Sequence, residues 1–328
     1  MMRQLAPRKL SLLLACLPIA ALASPGQEAP PAPPADAGSP VLVWDVPPGA
    51  RSGLPRSFRT SDSALKAKGG GLPPNLFGLS RLHAAGCGEF SADNLKAMLD
   101  ALHGRVTIFD LRQEDHGFID GEAVSWFATR NWANAGKSAP ASAASEREHL
   151  KAITLGGVVT LMSDAATKNG SAPPERLTVR TVQSERELVE GLGAAYVRIA
   201  VTDHCRPSDE AVDQFILAIR PMAEGTWPVF HCRAGQGRTT TFLVLYDMLR
   251  NARAVSLADI VDRQALLIGD YNVLSNDPGG DLEPWKVELY ADRAAFVRAF
   301  YDYARANPDG LPMLWSEWLK SRSAAPKR

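Results

Sequence analysis

The sequence predicts an α/β fold in which a central sheet is flanked by helices. Three apolar runs read as buried strands: RVTIFDL at 105–111, AYVRIAV at 195–201 and WPVF at 227–230. Helical patterns stand between and after them, and this alternation belongs to a sheet whose faces are covered by helices. The 328 residues, 45% hydrophobic and 22% charged, suffice to bury a sizeable core.

In chain order, Arg3, Arg8 and Lys9 precede an apolar stretch at 10–20 and a small-residue site, Ala21-Leu22-Ala23. That pattern reads as a signal peptide over 1–23, and hence a periplasmic or secreted protein. Leu13-Leu14-Ala15-Cys16 offers a second reading, a lipoprotein anchored at Cys16. Residues 24–40 form a Pro/Ala-rich linker, and 41–322 make the folded core. Val41-Leu42-Val43-Trp44 is a first short strand. Ser91 caps a helix to His103, with Leu95, Met98, Leu99 and Leu102 on one face. Between 117 and 181 the pattern weakens into short β-like runs such as 157–161, which reads as an insertion with some strand content.

The second half is more regular. Ser208 caps a helix with Asp209 and Glu210 in its first turn and Val212, Phe215, Ile216 and Ile219 on one face. Residues 239–250 (TTTFLVLYDMLR) form an apolar helix, and further helices fit 256–267 and 286–306. There is no internal repeat.

Lys+Arg and Asp+Glu both count 36. This balance argues against wholesale nucleic-acid or membrane-surface binding but permits a local basic pocket. No apolar run reaches the length of about 20 residues that spans a bilayer. The expected partner is a small molecule. Loss of the first 23 residues leaves Cys87, Cys205 and Cys232, an odd count that leaves at least one thiol free or paired between molecules. Cys205 is open to pairing with Cys87 or with Cys232, or to standing as a free thiol.

The informative segment is His231-Cys232-Arg233-Ala234-Gly235-Gln236-Gly237-Arg238-Thr239-Thr240, between a buried strand and an apolar helix. A chain crossing from strand to helix N-terminus through small residues turns several N–H groups into one concave space, where the helix dipole favours a tetrahedral oxyanion. Gly235 and Gly237 admit unusual backbone angles, and Arg238 adds a planar two-toothed grip on phosphate oxygens. The same field lowers the pKa of Cys232, making its thiolate a nucleophile beside the bound phosphate. Thr239 donates to the sulfur, and His231 orders the loop rather than acting as a base. Glycine at two set positions between Cys232 and Arg238 holds chance matches to about 0.5%, at a glycine frequency of about 7%. An acid must protonate the leaving oxygen, and Asp203, in a polar loop leaving a buried strand, is the candidate. His204 is either a substrate contact or a loop-packing residue.

These residues resemble the protein-tyrosine-phosphatase superfamily, whose signature is His-Cys, five residues, then Arg and Ser/Thr. More closely, they are similar to bacterial PTP-like phytases, cysteine phosphatases acting on myo-inositol hexakisphosphate. The loop 231–240 and Val201-Thr202-Asp203-His204 carry the likeness. So do Asp110-Leu111-Arg112-Gln113-Glu114 with His116-Gly117, Trp132-Ala133-Asn134, Arg263-Gln264 and Trp315-Ser316-Glu317-Trp318-Leu319-Lys320. The resemblance implies a PTP-like core and a small partial β-barrel from 118–181, with the strand near Val41. It implies a cationic substrate pocket at Arg59, Lys168, His204, Lys286, Tyr290 and Arg293, beside loop positions Arg233, Ala234, Gly235, Gln236 and Gly237. Asn131 stands where some members carry an acidic pocket residue.

The expected reaction is two-step phosphomonoester hydrolysis through a phosphocysteine, with no cofactor and no metal. The competing readings are a secreted tyrosine or dual-specificity phosphatase, an inactive phosphoinositide-binding module, and a sulfurtransferase.

Overall fold

In the computed structural model, residues 39–66, 72–163, 172–278, 282–307 and 311–324 are described. The expected signal peptide, Cys16, Lys168 and most of the linker lie outside them.

Strands β1 (Val41–Trp44), β2 (Arg59–Thr60), β3 (Ala85–Cys87) and β4 (Val106–Arg112) come first, with helix α1 (Ala92–Leu102) between the last two. The Ser91 hydroxyl accepts from the Asn94 N–H while the Asn94 side chain accepts from the Ser91 N–H, so both ends of the capping box are made. Then come β5 (His116–Ile119), β6 (Glu122–Phe127), α2 (Ala139–Ala152), β7 (Val158–Leu161), β8 (Glu175–Thr178), β9 (Val182–Gln183), α3 (Glu185–Gly191) and β10 (Ala195–Val201). The C-terminal part runs α4 (Asp209–Ile219), β11 (Trp227–His231), α5 (Gly237–Asn251), α6 (Leu257–Ile268), α7 (Val287–Ala306) and α8 (Trp315–Ala324).

The main sheet has the order β10-β4-β11-β3-β2, parallel except for β2 at its edge. Its alternation divides the core in two. Phe109, Leu111 and Phe230 pack with Val212, Phe215, Phe242, Val297 and Trp315 from the helices of one face. Ile108 and Val229 point the other way, against Leu95 and Met98 of α1 and Val189 of α3. Because β4 and β11 are covered on both faces, they read in the sequence as unbroken apolar runs.

A second sheet, β1-β6-β5-β9, is antiparallel throughout. The β7–β8 hairpin joins it where Trp44 N–H donates to Met162 O at 3.0 Å, and Trp44, Ile119, Val124, Leu161 and Val179 fill the space between. The weakly patterned stretch thus carries strands, and its sheet extends to β5 at His116 and β9 at Val182. It also carries α2, which the reading above does not contain. Ala- and Ser-rich residues give that helix no apolar stripe; its signal is Ser138, whose hydroxyl accepts from Ala141 N–H, followed by Pro140 in the first turn. Among the described residues, no helix is long and apolar enough to cross a membrane.

Candidate active site

Strand β11 ends at His231 and α5 begins at Gly237, so Cys232 to Gln236 make the crossing. The carbonyls of this crossing are tied back into the protein. Arg233 O accepts from the Glu89 N–H and the Arg56 guanidinium, and Ala234 O from the Ser57 hydroxyl. Gly235 O accepts from Arg59 Nη1 at 2.9 Å, and Gln236 O from the Thr240 N–H at 2.7 Å. In a planar trans peptide the N–H points opposite to the C=O. The amides of Ala234, Gly235, Gln236 and Gly237 therefore turn to the concave side, where the N-terminus of α5 adds its positive end. Gly235 is obligatory: its φ is +74°, and a Cβ would lie 2.5 Å from Gly88 N and 2.6 Å from the Cys87 carbonyl carbon.

The Thr239 hydroxyl donates to Cys232 Sγ at 3.2 Å. Burial raises the Cys232 pKa, but the Arg238 guanidinium and the hydrogen bonds from Thr239 outweigh it, and the thiol sits below its ordinary value. Arg238 is buried. It donates from Nη1 and Nη2 to both oxygens of Glu114 and from Nη1 to Val201 O, while Nη2 lies 3.2 Å from Asp203 Oδ1. Its Nε is buried without a hydrogen bond. Burial raises the Asp203 carboxyl, but Arg238, then His204, and a hydrogen bond from Asn131 bring it below the usual carboxylate range.

His231 lies beneath the loop, with Nε2 2.7 Å from Glu185 Oε1. Burial lowers its pKa, but Glu185, Glu89 and Asp110 overcome this and raise it to about 9. These three carboxylates favour the protonated ring beneath the loop. The same network holds Arg112 between Asp45, Glu89 and Glu114, and Arg233 on Asp45 Oδ1 at 2.7 Å.

The outer residues divide. Arg59, expected in an open cationic pocket, is buried behind the loop, where it holds Ser57 O, Gly235 O and Thr240 Oγ1. With no carboxylate against it, burial lowers its pKa to about 10. Its charge braces the loop, with Cys87 and Cys232 in its field. His204, Lys286, Tyr290 and Arg293 do come together. His204 Nδ1 is 3.4 Å from the Tyr290 hydroxyl, and its ring stands edge-on to Trp285 with centroids 5.1 Å apart. Lys286 Nζ lies 5.3 Å from the Trp285 ring centroid and 2.9 Å from Glu283 Oε1. Arg293, only 1% exposed, stacks on Tyr290 and donates to the Tyr271 hydroxyl, while its Nε and Nη2 make no hydrogen bond. A Cβ on Gly237 would lie 3.2 Å from the Tyr271 hydroxyl and 3.6 Å from Arg293 Nη1, so both side chains stand against the end of the loop.

Cys87, Cys205 and Cys232 are all free thiols. Cys87 packs toward Met98 on the α1 face, whereas Cys232 belongs to the opposite cluster. The disulfide pairings left open for Cys205 are not made. Asp45, Glu89, Glu114 and Glu185 stand at the site without having been singled out from the sequence, whereas Asn131 was expected at a pocket position and lies against Asp203. Glu114 sits in the Asp110–Glu114 segment that carried part of the resemblance, which was the available signal.

A family model described as PTP-like phytase, inositol hexakisphosphate, matches residues 109–250. The chain is 36% identical over 283 residues to the effector protein hopD2 of Pseudomonas syringae pv. tomato, covering 85% of this chain and 59% of that protein. It is similar to a solved PTP-like phytase from Bdellovibrio bacteriovorus, at 36% identity and TM-score 0.71, covering 88% of this chain and 97% of that one. It is also similar to the PTP-like myo-inositol phosphatase from Mitsuokella multacida in complex with myo-inositol-(1,3,4,5)-tetrakisphosphate, at 37% identity and TM-score 0.78. That match covers 87% of this chain and 50% of the other, so the chain spans about half of the Mitsuokella protein and nearly all of the Bdellovibrio one. On the shared loop, the shared fold and this coverage, the chain belongs to the PTP-like phytase family.

Proposed function

We propose that this chain removes phosphates from myo-inositol hexakisphosphate and lower inositol polyphosphates through a phosphocysteine on Cys232. The observation that carries the substrate choice is Arg293: a buried cation against the loop, with the N–H donors of two nitrogens, Nε and Nη2, unused. A buried charge of this kind is costly unless an anion meets it, and a substrate bearing several phosphates brings a second anion while the first occupies the loop.

In the first step the Cys232 thiolate attacks phosphorus in line, and the bond to the inositol oxygen breaks. Asp203 gives that oxygen its proton, while the loop amides and Arg238 hold the charge on the transferring group. Water then attacks the phosphocysteine, Asp203 takes the water's proton, and inorganic phosphate leaves as the sulfur, supported by the Thr239 hydroxyl, regains its charge. In the free protein Arg238 keeps Asp203 ionised. A phosphate dianion draws on Arg238 and faces Asp203 with like charge, both of which raise the carboxyl pKa and load the acid when substrate binds. Activity belongs at acidic pH, and a rate still climbing at about pH 8 contradicts the pairing of ionised Cys232 with protonated Asp203. The basic and apolar N-terminal stretch supports placing this activity outside the cytoplasm.

Phosphate release from inositol hexakisphosphate at about pH 5, with EDTA present, compares wild type with Cys232→Ser. Release by wild type alone supports the proposal. A chain that instead hydrolyses only a phosphotyrosine peptide is a protein phosphatase on the same loop, a reading that the similarity to an effector protein favours.

A further inference from the structure

Past β6 the chain makes a tight turn in which two consecutive residues that are not glycine adopt left-handed backbone angles, Arg130 at φ 59° and Asn131 at φ 64°. Such angles are disfavoured for residues with a Cβ, asparagine least, so the fold holds Arg130 against its own preference. The turn clasps the loop that carries the general acid. Arg130 lies over the Trp285 ring at 4.5 Å, and that ring packs against His204. Trp132 Nε1 donates to the Asp203 carbonyl at 2.9 Å, and Asn131 Nδ2 donates to Asp203 Oδ2 at 3.2 Å.

The two carboxylate oxygens of Asp203 are differently engaged. Oδ1 accepts from the His204 N–H at 3.0 Å and faces Arg238 at 3.2 Å, so a proton there displaces a cation. Oδ2 is left to carry the proton that the reaction moves, and Asn131 is the residue that touches it. Asn131 is buried, and its own carbonyl oxygen Oδ1 makes no hydrogen bond. A side-chain amide offers a donor on one side and an acceptor on the other. With Asp203 ionised, the NH₂ group donates to Oδ2. With Asp203 protonated, the amide turned by half a rotation accepts from the new O–H.

We propose that Asn131 is the positioning residue of the general acid, holding Asp203 Oδ2 in both protonation states through which the two-step reaction passes. An aspartate at this position serves the protonated state alone, because it repels an ionised Asp203. The proposal rests on Asp203 acting as the acid and is independent of which phosphate ester is the natural substrate.

The test uses phenyl phosphate, whose leaving group needs the acid, and p-nitrophenyl phosphate, whose leaving group needs it less. Asn131→Gly removes the amide while accepting the left-handed angle without strain. On phenyl phosphate it is expected to lower kcat about tenfold, within the contribution of a placed general acid. The loss should be smaller on p-nitrophenyl phosphate and should vanish in an Asp203→Ala background. An equal loss in both backgrounds, or no loss, overturns the proposal. Asn131→Asp keeps the turn and adds a carboxylate to the groups already facing Asp203, namely Arg238, His204, Glu114, Cys205, Cys232 and Tyr290. Its like charge favours protonated Asp203, so the basic limb of the pH profile should move up by about one pH unit; an unmoved or lowered limb counts against the assignment. A wild type that hydrolyses neither these esters nor inositol hexakisphosphate removes Asp203 as an acid and this proposal with it. A wild type that hydrolyses both esters but not inositol hexakisphosphate corrects the substrate and leaves the role of Asn131 to be decided by the variants.

Discussion

Glu114 meets Arg238 with both oxygens, Oε2 to Nη1 at 2.6 Å and Oε1 to Nη2 at 2.9 Å, although 124 residues of chain separate them. The pair is buried, and Glu114 Oε1 also accepts from Arg112 Nε, so one carboxylate sets the plane of the arginine that follows the loop. Replacing it leaves two buried guanidiniums short of a counterion. Glu114→Ala is expected to lose on the order of 3 kcal/mol of stability, measured by urea unfolding, and to lower kcat more than KM changes. Unchanged unfolding and unchanged kcat would remove Glu114 from this role.

Gly235 has no room for a side chain. A Cβ would stand 2.5 Å from the Gly88 nitrogen and 2.6 Å from the Cys87 carbonyl carbon, and both are backbone that cannot step aside. Gly235→Ala should shift the loop amides and cost about 100-fold in kcat, the scale of a misplacement near the reacting atoms. Gly156→Ala, at a positive-φ glycine with nothing within 4 Å, controls for the backbone term and should leave activity near wild type.

The three described thiols differ in the direction of their pKa shifts. Cys232 is lowered by Arg238 and Thr239 against its burial, whereas burial raises Cys87 well above the ordinary range and pushes Cys205 up to about 12. Iodoacetate at near-neutral pH should therefore label Cys232 first in the native protein, with Cys87 and Cys205 reacting only after unfolding. Peptide mapping reads the site, and inorganic phosphate should protect it. Labelling of Cys205 ahead of Cys232 would contradict the electrostatics of the loop.

His231 links the loop to global stability. Its pKa rises from an ordinary 6.5 to about 9 because Glu185, Glu89 and Asp110 surround the buried ring. A group raised on folding stabilises fully below its unfolded pKa and loses that contribution as pH climbs through the folded one. The urea midpoint should thus fall between pH 6.5 and about 9, and His231→Gln should flatten that part of the curve. A midpoint that rises over this window would show that the ring is neutral.

Much of the molecule was legible in the sequence because local rules governed it. Strands β4 and β11 are covered on both faces and so read as apolar runs, and Ser91 and Ser208 cap the helices that they appeared to cap. The phosphate loop is legible because ten consecutive residues hold its nucleophile, its two glycines and its arginine. What surrounds the loop is not local. Asp45, Glu89, Glu114 and Glu185 come from four separate segments, and each alone reads as a solvated charge. The burial of Arg59 was illegible for the same reason: nothing in Phe58-Arg59-Thr60 says that its guanidinium turns inward to the Gly235 carbonyl. Helix α2 escaped because alanine and serine leave no stripe to count. The contact of Asn131 with Asp203 depends on two left-handed residues that the sequence does not announce.

The decisive measurement is the intact mass of the protein, acid-quenched during turnover of inositol hexakisphosphate. Wild type, and more strongly Asp203→Asn, should carry one added phosphoryl group that maps to the Cys232 peptide, and Cys232→Ser should carry none. Turnover by wild type with no phosphoryl group on Cys232 in either active-loop protein, or turnover sustained by Cys232→Ser, would contradict the phosphocysteine on which the whole reading turns.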